Sequence, residues 1–369
     1  MRIAILVHDI TSFGGVEHVS ILLAKKISAE CNSVDIISLR NRGKVFFDIE
    51  NLNLLNVDIK SRCGKFKKND YKLIADFFLQ HQYDKIIIQL STAFRNLCPL
   101  ADARLLKILY THSKLELVFH ESPKYFITRY NVYYEKGLVL FLRYLLTYFY
   151  YNPNIYYFMN NSRKYVSQFV TLSKGCQQEL LKCFGINSVV RYNPYDFVQS
   201  CIPLRSKKNK IIWAGRLSAE KNLILLIRAW NGVIDKKNWV LEIVGDGNEK
   251  KNIMGIIEHA HVENIVLTDA ISHDVLMKKF EESKILILPS FFEAFPTVIP
   301  EAMNRKNAVI CTRYDGFSDE LVKDGSTGFV VNFNESELAE RISNLIYDEE
   351  TLLRMQKNAY EVCKKMYSI

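Results

Sequence analysis

Two cations follow an apolar run in the second half of the chain, in the segment GRLSAEKN at residues 215–222. Arg216 offers a planar fork of donors and Lys221 a point charge, a pair suited to a diphosphate leaving group whose negative charge grows during reaction. The run before them, residues 211–214, is predicted to be a buried strand, and open α/β sheets bind ligands at the carboxyl ends of their strands. If this segment stood alone, a solvated loop would be the better interpretation.

A second segment, LPSFFEAFPTVIPEAM at residues 288–303, places Glu293 and Glu301 eight positions apart across a predicted strand, loop and helix. If Thr297 caps the helix, Pro300 falls at the third helical position and Glu301 in the first turn. Carboxylates at this edge can accept paired hydrogen bonds from the vicinal hydroxyls of a sugar or a ribose. Taken singly, Glu301 is explained by the helix dipole and Glu293 by simple exposure.

Two glycines, Gly14 and Gly15, stand where the first predicted strand gives way to a helix from Val16. Glycine lets backbone N–H groups and the positive helix end approach a phosphate closely. The spacing does not match the GxGxxG dinucleotide fingerprint, and a Gly-Gly pair is more often a tight turn.

The elements that must position these residues follow one rhythm, in which short β-branched runs alternate with helical patterns. This predicts an α/β fold with parallel sheets, organised as two Rossmann-like domains over residues 1–192 and 193–369. The stretch from Val190 to Arg205 breaks both periodicities and is the predicted linker. The predicted strands are 3–7, 34–38, 85–89 and 106–110 in the first half, and 211–213, 240–244, 265–267, 285–288 and 308–311 in the second.

Between residues 123 and 165 the rhythm lapses into an insertion that holds 11 of the 20 tyrosines. Two interpretations stay open. Either a partly buried helical pair directs its tyrosine hydroxyls to water, or an amphipathic surface rests at a membrane interface.

Composition excludes several classes of protein. With 369 residues, 49% hydrophobic and 24% charged, the chain is neither disordered nor fibrous. Its eight cysteines are scattered without CxxC pairs, which favours reduced thiols in a cytoplasmic setting over a zinc site or a disulfide framework. The most apolar stretch, residues 138–151, is shorter than a membrane-spanning helix requires.

The charge of the chain is unevenly distributed. Residues 1–200 hold 26 Lys and Arg against 16 Asp and Glu, whereas residues 201–369 hold 23 against 24. The basic excess of the first half predicts an anionic partner, such as a nucleic acid, an acidic membrane surface or a phosphorylated substrate. Nucleic acid is disfavoured because the basic residues form no recognisable recognition helix.

Taken together, the motifs resemble the retaining glycosyltransferases of family 4 (glycosyl transferases group 1), which have the GT-B fold of two Rossmann-like domains facing across a cleft. Four segments occur in the order typical of that family, and four ordered motifs are far more specific than any one. They are GRLSAEKN, the VGDG turn at 244–247, LPSFFEAFPTVIPEAM and DGSTGFVV at 324–331.

The resemblance implies a role for each matching position. Arg216 and Lys221 would hold the diphosphate of a nucleotide sugar, and Glu293 the transferred sugar. Glu301 would hold the ribose. His112, taken to follow a strand at residues 106–110, resembles the active-site histidine of the family, with a capping or packing role as the alternative. The remaining candidates for donor binding are the Gly14-Gly15 turn and the backbone amides of Thr297 and Val298.

The implied activity is hexosyl transfer from a nucleotide diphosphate sugar, a UDP-sugar being the expected donor, with no metal and no further cofactor. The expected acceptor is a saccharide or a lipid-linked saccharide in bacterial surface polysaccharide or lipopolysaccharide synthesis. The expected location is cytoplasmic, peripheral on the inner face of the cell membrane. Three alternatives stay open: a sugar-nucleotide epimerase, a glycosyltransferase with a soluble acceptor, and a catalytically silent binding module. Residues 268–270 and 305–307 depart from the usual pattern, which leaves the nucleotide base open.

Overall fold

The computed structural model divides into two compact units, Met1–Pro194 and Tyr195–Ile369, whereas the sequence predicts a division after residue 192. It describes residues 1–369 except 12–14, 31, 42, 44, 46–47, 61–65, 91–99, 112, 122–136, 139–140, 143–144, 146–154, 196, 294, 315–317 and 368–369, and only the backbone at 318–319. Three sequence predictions therefore lie wholly or largely outside the described residues. They concern Gly14, His112 and the tyrosine-rich insertion.

The first unit is built on a seven-stranded parallel sheet in the order β3-β2-β1-β4-β5-β6-β7. Its central strands are apolar and buried on both faces, as expected where helices cover a parallel sheet. The strands are β1 (Arg2–Asp9), β2 (Ser33–Arg40), β3 (Asn53–Asn56), β4 (Lys85–Leu90), β5 (Lys114–Phe119), β6 (Val166–Thr171) and β7 (Val189–Val190).

The helices of the first unit begin and end where local chemistry favours it. The Asp102 carboxylate accepts from the Arg104 N–H at 2.7 Å, and Ser173 Oγ accepts from the Cys176 N–H at 3.1 Å. Gly185 ends the last helix in the left-handed conformation, with φ of 62°. The helices are α1 (Gly15–Ala29), α2 (Lys68–Gln80), α3 (Ala103–Tyr110) and α4 (Lys174–Phe184), and residues 155–162 are also helical.

The predicted strand at residues 106–110 is wrong, because these residues form the end of α3. Leu105, Leu106 and Leu109 are buried on one face of that helix, at helical spacing. A short apolar run does not by itself distinguish a buried strand from a buried helix, and here the Asp102 cap decides. The strand that follows is β5, so the histidine directly after it is His120.

The second unit contains a six-stranded parallel sheet in the order β10-β9-β8-β11-β12-β13. The prediction of two parallel α/β sheets is therefore confirmed. The strands are β8 (Lys210–Ala214), β9 (Val240–Val244), β10 (Ile265–Thr268), β11 (Ile285–Leu288), β12 (Ala308–Thr312) and β13 (Gly328–Val331). The helices are α5 (Leu223–Gly232), α6 (Lys250–His259), α7 (His273–Glu282), α8 (Val298–Asn304), α9 (Ser318–Leu321), α10 (Glu335–Tyr347) and α11 (Glu349–Tyr367).

Each unit has its own apolar core. Trp213 of β8 and Trp230 of α5 are fully buried in the second unit, and Phe78 and Phe119 are fully or almost fully buried in the first. None of the described helices combines the length and apolarity needed to cross a bilayer.

Candidate functional site

The two predicted donor-binding segments start from neighbouring strands of the second sheet. The strand order reverses between β8 and β11, and in open α/β sheets the crevice at such a switch point is where ligands bind. Residues 215–222 leave the carboxyl end of β8, and residues 289–297 leave the carboxyl end of β11. Because the strands are parallel, both segments lie at the same edge.

Backbone hydrogen bonds hold the first segment against the turn that follows β9. The Leu217 N–H donates to the Asp246 carbonyl at 2.9 Å, and the Glu249 N–H donates to the Leu217 carbonyl at 3.0 Å. A Cβ at Gly247 would lie 2.3 Å from the Leu217 oxygen, and one at Gly245 would lie 1.9 Å from the Gly215 oxygen. The VGDG turn therefore needs glycine so that the two backbones can approach this closely.

The second segment is tied to the first by its own backbone. The Phe291 N–H donates to the Glu220 carbonyl at 2.9 Å. Thr312 Oγ1 of β12 donates to the Ser290 carbonyl at 2.6 Å. These contacts fix the loop that carries Glu293 beside the loop that carries Lys221.

Lys221 and Glu293 form a direct ion pair in this structure. The distance from Lys221 Nζ to Glu293 Oε1 is 2.5 Å, and Ser290 Oγ donates to the same carboxylate oxygen at 2.7 Å. The two charged side chains are only 20% and 12% exposed. The sequence predicted that both residues bind the donor but did not predict that they contact each other. The two charged side chains pair where both are mostly shielded from water.

Arg216 extends into solvent from the same loop and is 73% exposed. Its guanidinium lies 3.8 Å from Glu220 Oε1, and Ser218 Oγ donates to that oxygen at 2.6 Å. Burial by itself would raise the pKa of Glu220, but the Ser218 hydroxyl, a backbone N–H and the nearby cations outweigh it and hold the pKa below its usual value. Glu220, which the sequence did not single out, therefore stays ionised beside the cations.

Glu301 is buried in the first turn of α8, where it was predicted. Thr297 stands at the N-cap and Pro300 at the third helical position, but the Thr297 side chain makes no capping hydrogen bond. The Glu301 carboxylate lies 3.5 Å from His273 Nε2, at the start of α7. The hydrogen bond to that carboxylate raises the pKa of His273. This contact joins residues from the first turns of two helices and has no signal in the sequence.

Residues 268–270, which depart from the usual motif, end β10 and begin the connection to α7. The Asp269 carboxylate accepts a hydrogen bond from Lys250 Nζ, and Lys250 also lies 4.0 Å from Asp246. The cation of α6 is therefore shared between two exposed carboxylates at the carboxyl edge of the sheet.

The first unit presents two titratable groups with shifted pKa values close to strand ends. Burial, reinforced by the Asp9 carboxylate, raises the pKa of Glu17 in the first turn of α1 to about 7. His120 follows β5, is buried, and lies 2.5 Å from Gln89 Oε1 through Nε2. Burial lowers the pKa of His120 to about 4, so the ring is neutral at physiological pH. A titratable group of shifted pKa at a strand end is a candidate functional residue.

Of the predicted residues in this unit, Gly15 begins α1, and a Cβ built on it would meet no atom of the described residues within 4 Å. The roles predicted for Gly14, Gly15 and His112 stay predictions.

Residues 199–362 match the family described as glycosyl transferases group 1. This segment holds all the donor-site candidates of the second unit. The amylovoran biosynthesis glycosyltransferase AmsD of Erwinia amylovora is 29% identical over 156 residues, 42% of this chain and 43% of AmsD. A Campylobacter jejuni N-acetylgalactosaminyltransferase, named for a diphosphoundecaprenol-linked saccharide, is 27% identical over 162 residues, 43% of this chain and 44% of that enzyme. The match thus spans less than half the length of these relatives.

The structural similarity extends over the whole chain. HepE of Anabaena, solved with UDP and glucose, superposes with a TM-score of 0.75 at 18% identity, covering 100% of this chain and 95% of HepE. The fold is GT-B. The GT-B expectation from the ordered motifs is confirmed for both units, including the first, where the motifs were few.

Proposed function

We propose that the protein is a retaining glycosyltransferase of family 4 that transfers a hexosyl group from a nucleotide diphosphate sugar, with UDP-sugars as the preferred donors. The observation that carries the proposal is the Lys221–Glu293 pair beside Arg216 at the β8/β11 switch point. A cationic grip next to a fixed carboxylate is what a donor needs, because its diphosphate gains negative charge while its sugar gains positive charge. The match of this segment to glycosyl transferases group 1 supports the same activity.

In the proposed reaction the protein contributes position and charge. Arg216 and Lys221 hold the diphosphate as the bond from the anomeric carbon to the phosphate oxygen breaks. Glu293 holds the sugar through its hydroxyls, and Glu301 holds the ribose. The departing phosphate oxygen takes the proton of the acceptor hydroxyl, which attacks from the same face, so the configuration is retained.

The donor is identified by a panel of UDP-, GDP- and ADP-sugars, measured by thermal stabilisation and by slow hydrolysis. A ligand that binds the native state raises its melting temperature. We expect one nucleotide series to shift the melting temperature and to release its sugar. A panel without any stabilising nucleotide would refute the proposed function.

Activity should survive an excess of EDTA, because Arg216, Lys221 and backbone amides occupy the positions around the diphosphate that a divalent cation would take. Initial rates with and without EDTA, and with added Mg²⁺, measure this. Complete loss of activity that Mg²⁺ restores would contradict the metal-free mechanism.

For the acceptor we propose a lipid-linked saccharide in bacterial surface polysaccharide or lipopolysaccharide synthesis, used at the cytoplasmic face of the membrane. Two facts support this setting. The first half of the chain carries the basic excess, and the names of the relatives refer to amylovoran biosynthesis and to a saccharide linked to diphosphoundecaprenol. A diphosphate-linked lipid and its membrane are both anionic.

We expect the protein to bind vesicles rich in phosphatidylglycerol, and high salt to weaken that binding markedly. Lys60, Lys67, Lys68 and Lys72 are exposed, while Asp70, the acid among them, is buried and accepts from the Lys67 N–H at 2.6 Å. Cations close to an anionic surface contribute about 1 kcal/mol each. Arg62 and Lys65 of the same segment and most of the tyrosine-rich insertion lie outside the described residues.

Liposome sedimentation at low and high salt measures this binding. A Lys67→Glu and Lys68→Glu double variant should bind more weakly than the wild type. The matched control is the Lys236→Glu and Lys237→Glu double variant in the second unit, which should bind vesicles as the wild type does. A protein that stays in the supernatant at low salt would mean that the basic half serves a soluble acidic acceptor.

A further inference from the structure

A pair of contacting aromatic rings, one exposed and one half-buried, lies at the carboxyl edge of the second sheet, outside the donor residues. Phe291 and Phe333 have ring centroids 5.3 Å apart with an interplanar angle of 36°. Phe333, two residues beyond the end of β13, is 46% exposed. Phe291 stands two residues before Glu293 in the loop after β11. The pair therefore borders the position proposed for the transferred sugar.

Both rings are presented by fixed backbone. On one side, the Phe291 N–H donates to the Glu220 carbonyl. On the other, Glu337 Oε2 accepts from the Asn332 N–H at 3.1 Å, and Asn334 Oδ1 accepts from the Glu337 N–H at 2.9 Å. One hydrogen bond thus holds the chain on each side of Phe333. A side chain that is already held in place loses less conformational entropy when a ligand binds.

The size and charge of this surface indicate which class of ligand it can bind. A stable protein interface buries about 800 Å² on each partner, far more than two rings offer. On the Phe333 side of the pair, residues 328–340 hold three glutamates and no lysine or arginine, so this side does not attract an anionic bilayer or a phosphorylated glycan. A neutral pyranose fits, because its apolar C–H face can pack on an aromatic ring.

We infer that Phe291 and Phe333 form a subsite for one neutral sugar ring of the acceptor saccharide. That the bound saccharide is an acceptor rests on the proposed glycosyl transfer. Binding of a saccharide to these rings can nevertheless be measured without turnover. The subsite lies at the edge of the sheet that carries Glu293, so it would orient the acceptor chain relative to the reacting hydroxyl.

Saturation-transfer NMR on the full chain, with maltotriose, triacetylchitotriose and a galactobiose as probes, tests the subsite. At least one probe should bind the wild type, and Phe333→Ala should weaken it by about fivefold or more, the effect of losing one aromatic contact. Phe333→Tyr should keep the binding. The matched control is Tyr347→Ala, which removes another exposed aromatic of the same unit and should change nothing.

Melting temperature and nucleotide binding, measured on the same variants, separate the possible failures. Phe333→Ala should keep both at the wild-type values. The subsite is refuted if no probe binds, if Phe333→Ala binds as the wild type does, if it loses nucleotide binding as well, or if its only effect is on self-association. If no nucleotide binds the wild type, the proposed donor chemistry fails, whereas saccharide binding at Phe333 is decided by the NMR titration alone.

Discussion

Glu293→Gln and Lys221→Ala are each expected to lower kcat by at least about tenfold, because each removes an interaction that strengthens in the transition state. In the proposed reaction Lys221 would hold the departing diphosphate, and Glu293 would hold the sugar on which positive charge develops. Their 2.5 Å contact in the structure keeps both side chains in place before the donor arrives. Initial rates at saturating donor, together with the melting temperature of each variant, measure the effect.

The contact also predicts how the two changes combine. Side chains in direct contact give non-additive effects, so the double variant should lose less than the product of the two single losses. Lys208 and Glu282 provide the matched control, since they form a solvent-exposed pair in the same unit with a 3.0 Å distance. Lys208→Ala should leave kcat unchanged, because exposed pairs contribute little. Wild-type turnover in Glu293→Gln would contradict the assignment of the site.

Strands β8 to β12 of the second sheet could be predicted from the sequence because they are short runs of mostly apolar residues, whereas β3, β6, β7 and β13 were not among the predicted strands. Ile285–Leu288 and Ala308–Thr312 are buried throughout, and no polar residue interrupts Ile285–Leu288. The motif segments at 215–222 and 288–303 follow such runs, so their place at the carboxyl edge also follows from the sequence. The strand order, and with it the switch point between β8 and β11, comes only from the structure.

The contacts inside the candidate site were not predictable, because they join residues distant in sequence. Lys221 and Glu293 are 72 positions apart, and nothing in either motif states that they touch. His273 was missed for the same reason, because its partner Glu301 lies in another helix. Glu220 was missed although Ser218 and Arg216 are close to it in sequence, because nothing in the segment indicates that its side chain is mostly buried.

The strand β5 was missed because the neighbouring apolar run at the end of α3 was taken for a strand in its place. Glu116 lies in the middle of β5 and is almost fully buried. Its carboxylate pairs with Lys85 Nζ and Arg191 Nη1, each at 2.6 Å. A buried acid needs such partners, and they come from β4 and from the chain after β7. Because the end of α3 was taken for a strand, His112 was predicted to follow a strand end, and its role stays a prediction.

The buried state of His120 predicts a specific dependence of stability on pH. Its pKa is about 4 in the folded protein, whereas a histidine in an unfolded chain has a pKa of about 6.5. The unfolded state therefore binds a proton first as the pH falls, so this contribution to the free energy of unfolding is intact above pH 6.5 and is lost towards pH 4. Thermal unfolding measured between pH 6.5 and pH 4 should show that His120→Gln loses less stability than the wild type as the pH falls. An equal loss would contradict the burial of the ring.

His120→Ala is expected to lower turnover by at least about tenfold, whereas His112→Ala should have a much smaller effect. The reason is position, since His120 follows a strand of the parallel sheet, the edge where such folds place ligand-binding groups. The hydrogen bond between His120 Nε2 and Gln89 Oε1 fixes the ring, with Nε2 as the donor. Because the ring is neutral, kcat should not fall between pH 7.5 and 6 as it would for a histidine of ordinary pKa.

Gln89 supplies the variant that separates positioning from packing. Gln89→Leu removes the acceptor for His120 Nε2 while keeping a side chain of similar size, so it should lower kcat with little change in the donor KM. The melting temperature identifies variants that merely unfold. If His112→Ala loses turnover and His120→Ala does not, His112 is the functional histidine and His120 has only a packing role.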